Sequence, residues 1–275
     1  MSDDAGPDAA RLRGYIDAWW TSVQDLCDLL DTLDPDEWSA PTDLPGWDVK
    51  AVASHTAHLE VVLATGQEEH AEVPEAPHIT SLMGTYTEIG VINRRDTPTS
   101  SIVQQIREAT GVRREQLAEL APSDAAGTPD RTPGGVPWSW GTLLRNRPLD
   151  VWMHEQDVRR AVDRPGGLDT AGAQHTADYL RESIGFVLAK KAGAPAGTSM
   201  VLEVEGSEPW SVQVGDDGKA RPCARPADPT VVMRVDRETF IRLAGGRGDV
   251  DTSAVVIEGD PELGARVLDA LATTP

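Results

Sequence analysis

The stretch AGAPAGTS (residues 192–199) separates two parts of the sequence that differ in the spacing of their apolar residues. Before it, apolar residues recur at steps of three and four, which is typical of amphipathic helices. After it, SMVLEVEG (199–206), PWSVQVG (209–215) and TVVMRVD (230–236) alternate apolar and polar residues, as half-buried strands do. The sequence therefore predicts an α+β multidomain protein, with a helical domain over residues 1–192 and a small α+β domain over residues 193–275.

The helical part contains enough periodic segments for a four-helix bundle. In the first helix the apolar seam consists of Leu12, Ile16, Trp19, Val23, Leu26, Leu30 and Leu33. A second helix is predicted over about residues 48–66, with Asp48 as its N-cap. A third runs from about 79 to 120 with an interruption at Thr97-Pro98, and a fourth carries DVWMHEQDVRRAVDRPGG (150–167), with Pro148 in its first turn. Residues 168–191 are predicted to form a further helix.

The second part of the sequence adds two helices and a turn to its strands. GDDGK (215–219) is typical of a hairpin turn. RETFIRLAGG (237–246) and PELGARVLDALA (261–272) have helical spacing, and SAVVIEGD (253–260) between them is predicted to be a strand. This mixture supports the small α+β domain.

The overall charge and the cysteine content exclude several classes of protein. The formal net charge of the 275 residues is −20, so a nucleic-acid backbone would be repelled. Only two cysteines occur, Cys27 and Cys223, which rules out a disulfide framework and a zinc site made of thiolates. We expect small-molecule partners and no nucleic acid.

No segment of the sequence has the features of a membrane anchor or of a secretory signal. No apolar run approaches the roughly 20 residues of a membrane span. The N-terminal stretch MSDDAGPDAARLRG is acidic and lacks an apolar core. We expect a cytoplasmic protein without membrane contacts, and we take a monomer as the default oligomeric state.

One acidic residue and two histidines are candidate metal ligands. Asp150 and His154 are four residues apart, which places both side chains on one face of a helix. His55 lies on the inward face of the second helix, and bundle proteins build metal sites from facing helices in this way. Two imidazoles and one carboxylate suit Zn²⁺, although other divalent metals accept the same donors. In the alternative interpretation, Asp150 is an acidic residue near a helix N-terminus and both histidines lie at the edge of the core.

Two segments that contain these residues resemble the mycothiol-dependent maleylpyruvate isomerase family of DinB-like proteins. LPGWDVKAVASHTAHLE (44–60) is similar to the motif around the family's first metal histidine, which corresponds to His55. RPLDVWMHEQDVRRAVDRPGG (147–167) is similar to the second motif, and its carboxylate and histidine correspond to Asp150 and His154. INRRDTP (92–98) resembles the segment between the motifs. Residues 236–268 resemble the family's sterol-carrier-like second domain.

This resemblance implies a metalloenzyme that uses mycothiol, the low-molecular-weight thiol of actinobacteria. His55, Asp150 and His154 would hold a divalent metal, with zinc as the expected ion, and the metal would activate the thiol for addition to an electrophilic small molecule. The reaction would be an isomerisation or an S-transfer. The family more often has glutamate where this sequence has Asp150. Asp157 or Gln156 is predicted to orient a metal-binding histidine.

Three arginines are candidates for binding the thiol cofactor or an acidic substrate. Arg94 and Arg95 are predicted to contact the cofactor, and Arg247 is predicted to be catalytic, because a guanidinium can bind a carboxylate with two hydrogen bonds. Two other functions remain open. One is a metal-dependent hydrolase or a transferase that uses another thiol, and the other is a non-catalytic protein that binds an apolar ligand.

Overall fold

Four long helices and one shorter helix build the first part of the computed structural model, which describes residues 6–274. They are α1 (Pro7–Asp31), α2 (Val49–Thr65), α3 (Leu82–Asn93), α4 (Thr99–Leu120) and α5 (Trp140–Ala161). The α1 helix packs against α4 and α5, while α2 packs against α3, α4 and α5. These contacts confirm the predicted helical bundle.

The core of this bundle consists of the apolar seams that the sequence pattern predicts. Of the predicted seam of α1, Leu12, Val23 and Leu26 are completely buried, while Ile16 and Leu33 are partly buried at the edge of the core. The N-terminus of α2 is fixed as expected, because the side chain of Asp48 accepts a hydrogen bond of 2.8 Å from the backbone N–H of Ala51.

Helix α5 begins earlier than the sequence suggests, and the prediction that Pro148 lies in its first turn is wrong. The helix starts at Trp140, where the hydroxyl of Ser139 accepts a hydrogen bond from the backbone N–H of Thr142. Pro148 lies inside the helix, where it is tolerated at the loss of one backbone hydrogen bond. Asp150 is therefore in the middle of α5. Its position excludes the alternative that it is an acidic residue at a helix N-terminus, since the dipole effect is confined to the first turn.

The second part of the chain is a five-stranded sheet with helices. The helical segments are α6 (Ala171–Arg181), α7 (Ile184–Phe186, continued by a π-turn over Val187–Lys191), α8 (Arg237–Ala244) and α9 (Pro261–Asp269). The strands are β1 (Ser199–Val204), β2 (Trp210–Val214), β3 (Ala220–Pro222), β4 (Val231–Val235) and β5 (Val256–Gly259). Their order is β3-β2-β1-β4-β5, and only the β1–β4 pair is parallel, with Val201 opposite Val232. The α+β class is confirmed.

The chain divides into two compact units at Gly167, whereas the sequence pattern places the domain boundary at residue 192. The reason for the difference is that α6 packs on α8. Arg237 of α8 donates hydrogen bonds to the carbonyl oxygen of Leu168 (2.7 Å) and to Oε1 of Gln174 (2.8 Å). Residues 168–191, predicted as one helix, form α6, α7 and the π-turn instead, and these segments belong to the same unit as the sheet. Within residues 6–274, none of the helices has the length and apolar character needed to span a bilayer.

Candidate metal centre

His55, Asp150 and His154 converge at one point in the helical bundle. One ligating atom from each residue lies within 4.8 Å of the other two. His55 Nε2 is 3.8 Å from Asp150 Oδ2, and His154 Nε2 is 3.7 Å from Asp150 Oδ1. Both imidazoles are buried and meet edge to face, with ring centroids 4.9 Å apart. No other group of three potential ligands of this kind is present in the described part of the chain.

The imidazole of His154 is held in a fixed orientation by a chain of polar contacts. His154 Nδ1 lies 3.2 Å from Oδ2 of the fully buried Asp157. Arg160 donates a hydrogen bond of 2.6 Å to Asp157 and another of 2.6 Å to Asp43. With Nδ1 directed to a carboxylate, Nε2 is the nitrogen left for a cation. Of the two residues predicted to orient a histidine, Asp157 contacts His154, while Gln156 instead donates to the carbonyl oxygen of Gly166.

The ring of Trp47 covers the two histidines from one side. Its centroid is 5.0 Å from that of His55 and 6.1 Å from that of His154. The indole Nε1 donates a hydrogen bond of 2.8 Å to Glu88 Oε2, which fixes the plane of the ring. Trp47 thus provides an apolar wall that limits the access of water to the imidazoles.

The charges around the site favour the forms of the ligands that bind a cation. Burial raises the pKa of the Asp150 carboxyl, but the Arg147 guanidinium and the two imidazoles outweigh burial and bring this pKa well below its usual range. Burial lowers the pKa of His55, and this effect exceeds the opposing influence of Asp150. At neutral pH the site therefore offers an ionised carboxylate and a neutral imidazole at His55, and metals bind these forms.

The donor set and its spacing fit a small divalent cation. Zinc is held about 2.0–2.2 Å from nitrogen and oxygen donors, so tetrahedral ligand atoms are roughly 3.3 Å apart. The separations of 3.7 and 3.8 Å involve different oxygens of Asp150, and one ligand atom from each residue lies within 4.8 Å of the others, so the three side chains would have to move closer together around a bound tetrahedral ion. Three protein ligands leave a fourth position open, as in catalytic rather than structural zinc sites.

Two buried charged residues beside the site were not identified from the sequence. Arg147 Nη1 donates a hydrogen bond of 3.0 Å to Asp150 Oδ2, and its Nε and Nη2 donate to Glu60 Oε1. The indole Nε1 of Trp19 donates to the same oxygen at 3.0 Å. One signal in the sequence could have identified them, since both are charged residues on inward-facing helix segments. Glu60 ends the segment LPGWDVKAVASHTAHLE, and Arg147 lies three residues before Asp150.

His58, one turn after His55, does not belong to the group of ligands. It is completely buried, and neither ring nitrogen has a hydrogen-bond partner among the described residues. Its ring packs against Tyr86, and burial lowers its pKa to about 4. His58 is therefore a neutral residue of the core at neutral pH.

The three predicted arginines lie in different surroundings. The buried Arg94 is bound by Glu69 through hydrogen bonds of 2.6 and 2.9 Å, and it also donates to Gln105. Arg95 is exposed, and its carbonyl oxygen accepts a hydrogen bond from Lys50. Arg247 lies in the second unit, where its Nη1 donates to the carbonyl oxygen of Gly245 at 2.7 Å.

Family models cover most of the chain. The model of the mycothiol maleylpyruvate isomerase N-terminal domain matches residues 19–159, and the model of the C-terminal domain of the same family matches residues 174–266. The chain belongs to the mycothiol maleylpyruvate isomerase family. This confirms the resemblance that the two metal-ligand motifs indicated.

Two crystal structures of the mycothiol-dependent maleylpyruvate isomerase, one of them a histidine-to-alanine mutant, resemble the chain with TM-scores of 0.54 and 0.53. Each shares 18% sequence identity and covers 91% of this chain and 95% of its own. At this sequence identity, the likeness to the two isomerase structures establishes the fold of the chain. No curated protein sequence matches the chain.

Proposed function

We propose that this family member is a metal-dependent enzyme that uses mycothiol to act on an electrophilic small molecule. The main support for the proposal is that His55, Asp150 and His154 each place one ligating atom within 4.8 Å of the others. His55 and the Asp150–His154 pair lie in the two sequence motifs that resemble the family. The donor set favours zinc. When bound, the metal would stabilise the thiolate form of the cofactor thiol near neutral pH.

The residues of the chain would bind and orient the reactants. His55 and His154 present their Nε2 atoms, Asp150 adds a negative charge, and Asp157 prevents rotation of His154. The nucleophile would come from the cofactor, and Cys27, the cysteine of the unit that carries the three ligands, is buried with its pKa raised to about 12 by burial. Isomerisation and S-transfer differ in whether the thiol remains in the product, and maleylpyruvate is the first substrate to test, since the related crystal structures are named for it.

The three arginines have separate roles in this proposal. Arg247 would donate hydrogen bonds to an acidic substrate, and Arg94 and Arg95 would contribute to the mycothiol-binding surface. Because Arg94 is already bound by Glu69, it would act by shaping the binding surface, and the exposed Arg95 would make the direct contact. Unchanged turnover and KM in Arg247→Ala, and an unchanged KM for mycothiol in Arg95→Ala, would contradict these roles.

The test begins with the metal content of the purified protein and continues with thiol consumption. We expect about one zinc per chain, and consumption or turnover with mycothiol but not with glutathione or bacillithiol when maleylpyruvate or another electrophile is supplied. His55→Ala and His154→Ala should lose both metal and activity. His70→Ala, a change at an exposed histidine outside the site, is the matched control and should keep both.

The other functions give different results in the same assays. A protein that contains zinc but prefers another thiol, or hydrolyses its substrate without a thiol, is the alternative metalloenzyme. A protein that binds no divalent metal and shows no turnover contradicts the proposal and favours a non-catalytic binding protein.

A further inference from the structure

The buried ion pair between Arg147 and Glu60 has no obvious role in stability. Both side chains are almost completely inaccessible, and the ion pair joins α5 to α2 with a distance of 2.7 Å from Nη2 to Oε1. Removing two charges from water is costly, and an apolar pair of similar volume is often equally stable or more so. A buried pair of this kind needs an explanation beyond packing.

The geometry of the guanidinium supplies that explanation. One edge of Arg147, formed by Nε and Nη2, donates to Glu60 Oε1 at 3.2 and 2.7 Å. The remaining nitrogen, Nη1, donates to Asp150 Oδ2 at 3.0 Å. Trp19 of α1 donates to the same Glu60 oxygen, so the acceptor that holds Arg147 is itself fixed by a third helix. Because the guanidinium is planar and is held on one edge by Glu60, its Nη1 holds the Asp150 carboxylate in a fixed position.

The charge of Arg147 raises an opposing possibility, which is that it repels a cation bound at Asp150. Glu60 compensates this charge, because its carboxylate is in direct contact with the guanidinium. Arg147 and Glu60 together are close to neutral, so the negative charge of Asp150 remains available. Each oxygen of Asp150 faces one histidine, since Oδ1 is 3.7 Å from His154 Nε2 and Oδ2, which accepts from Arg147, is 3.8 Å from His55 Nε2.

We propose that Arg147, held by Glu60, is a positioning residue that fixes the Asp150 carboxylate between His55 and His154, where it would be the acidic ligand of the metal. The side chain of aspartate is short, and the reach of its carboxylate therefore depends on its orientation. The inference rests on the proposed metal-binding function. It predicts that two residues that do not touch the metal control its affinity.

The experiment measures the affinity of the metal-free protein for Zn²⁺ by competition with a chromophoric chelator. Arg147→Gln and Glu60→Gln should weaken binding by about tenfold or more, the effect usual for groups that orient metal ligands. The visible spectrum of bound Co²⁺, which reports the coordination of the metal, should also change. Arg147→Lys should not restore the affinity, because an ammonium group cannot contact Glu60 and Asp150 with the same fork.

The matched control is Arg113→Gln. Arg113 is a buried arginine of α4 in the same bundle, and its ion-pair partner is Asp130, at 3.6 Å. This variant reports the general effect of losing a buried guanidinium and should bind Zn²⁺ like the original protein. If the single variants fail to fold, the double variant Arg147→Met with Glu60→Met removes both charges at once and should show the same loss of affinity in a folded protein.

The outcomes separate the two proposals. If the original protein binds Zn²⁺ and Arg147→Gln or the double variant binds it equally well or more tightly, the positioning role is overturned while the metal site stands. If the original protein binds no divalent metal, the proposed function itself fails, and this inference fails with it. A tenfold loss in the Arg147 and Glu60 variants but not in Arg113→Gln supports the positioning role.

Discussion

Nδ1 of His154 lies 3.2 Å from Oδ2 of Asp157, one turn further along the same helix. The ring is therefore oriented from within α5, and its Nε2 is directed toward Asp150. Asp157→Asn keeps the shape of the side chain but removes its charge, and we expect Zn²⁺ to bind about tenfold more weakly as a result. Chelator competition measures this change. Gln156→Ala alters a neighbouring side chain that contacts Gly166 instead of a histidine, so it should leave the affinity unchanged.

Asp150 provides a second test of the site. Asp150→Asn removes the only acidic ligand and should weaken Zn²⁺ binding by at least tenfold, whereas Asp150→Glu keeps the charge and should retain most of the affinity. Total metal by elemental analysis and affinity by competition give the comparison. Equal binding by Asp150→Asn would show that this residue is not a ligand.

The buried His58 predicts how the stability of the protein depends on pH. Burial lowers the pKa of His58 to about 4, from an ordinary value of 6.5. Between these values the unfolded chain binds a proton that the folded chain does not, so stability is lost as the pH falls from 6.5 toward 4, by at most about 1.4 kcal/mol per pH unit. His58→Gln should reduce this acid sensitivity in urea unfolding at pH 7 and 5. His70→Gln, at an exposed position, should behave like the unchanged protein, and equal acid sensitivity in all three would refute the assignment to His58.

At Gly90 of α3, the addition of a single methyl group should destabilise the bundle. A Cβ at this position would overlap the Cβ of His58 on α2. Gly90→Ala should therefore destabilise the bundle by about 1–3 kcal/mol, the usual cost of overpacking. Gly111 of α4 has open space around it, so Gly111→Ala should be neutral or stabilising by up to about 1 kcal/mol. Thermal unfolding of the two variants compares them directly.

The two cysteines should differ in reactivity. Burial raises the pKa of Cys27 to about 12, whereas Cys223 is partly exposed. Because the thiolate is the reactive form, an alkylating reagent at pH 8 should modify Cys223 but not Cys27 in the folded protein. In urea it should modify both residues. Mass spectrometry of the alkylated protein identifies the modified residue. Rapid labelling of Cys27 in the folded state would contradict its burial.

The sequence predicted those features that depend on local periodicity and capping. The seam of α1 and the cap at Asp48 are examples, because both are encoded within a few residues. Strand β3 was missed, since Ala220–Pro222 has no buried apolar residue to mark it. The start of α5 was misplaced because Pro148 resembles a first-turn proline, while the actual signal is the cap at Ser139.

The candidate site was predicted only as far as its motifs extend. His55, Asp150 and His154 were predicted as ligands mainly because they lie in the two motifs that resemble the family, since helical spacing alone fits a polar face equally well. The contact of Arg147 with Glu60 joins residues 87 positions apart, and the packing of α5 against α2 brings them together. No spacing rule within one helix predicts such a pair.

Because the candidate ligands lie on both α2 and α5, a bound metal would affect the stability of the folded bundle. A cation bound by His55 and by Asp150 or His154 would act as a removable crosslink between two helices that are far apart in the chain. Binding to the folded state alone stabilises it by about 2.7 kcal/mol when the free metal is at one hundred times its Kd. The melting temperature would then report metal occupancy. Candidate metals can be ranked in this way before any substrate is known.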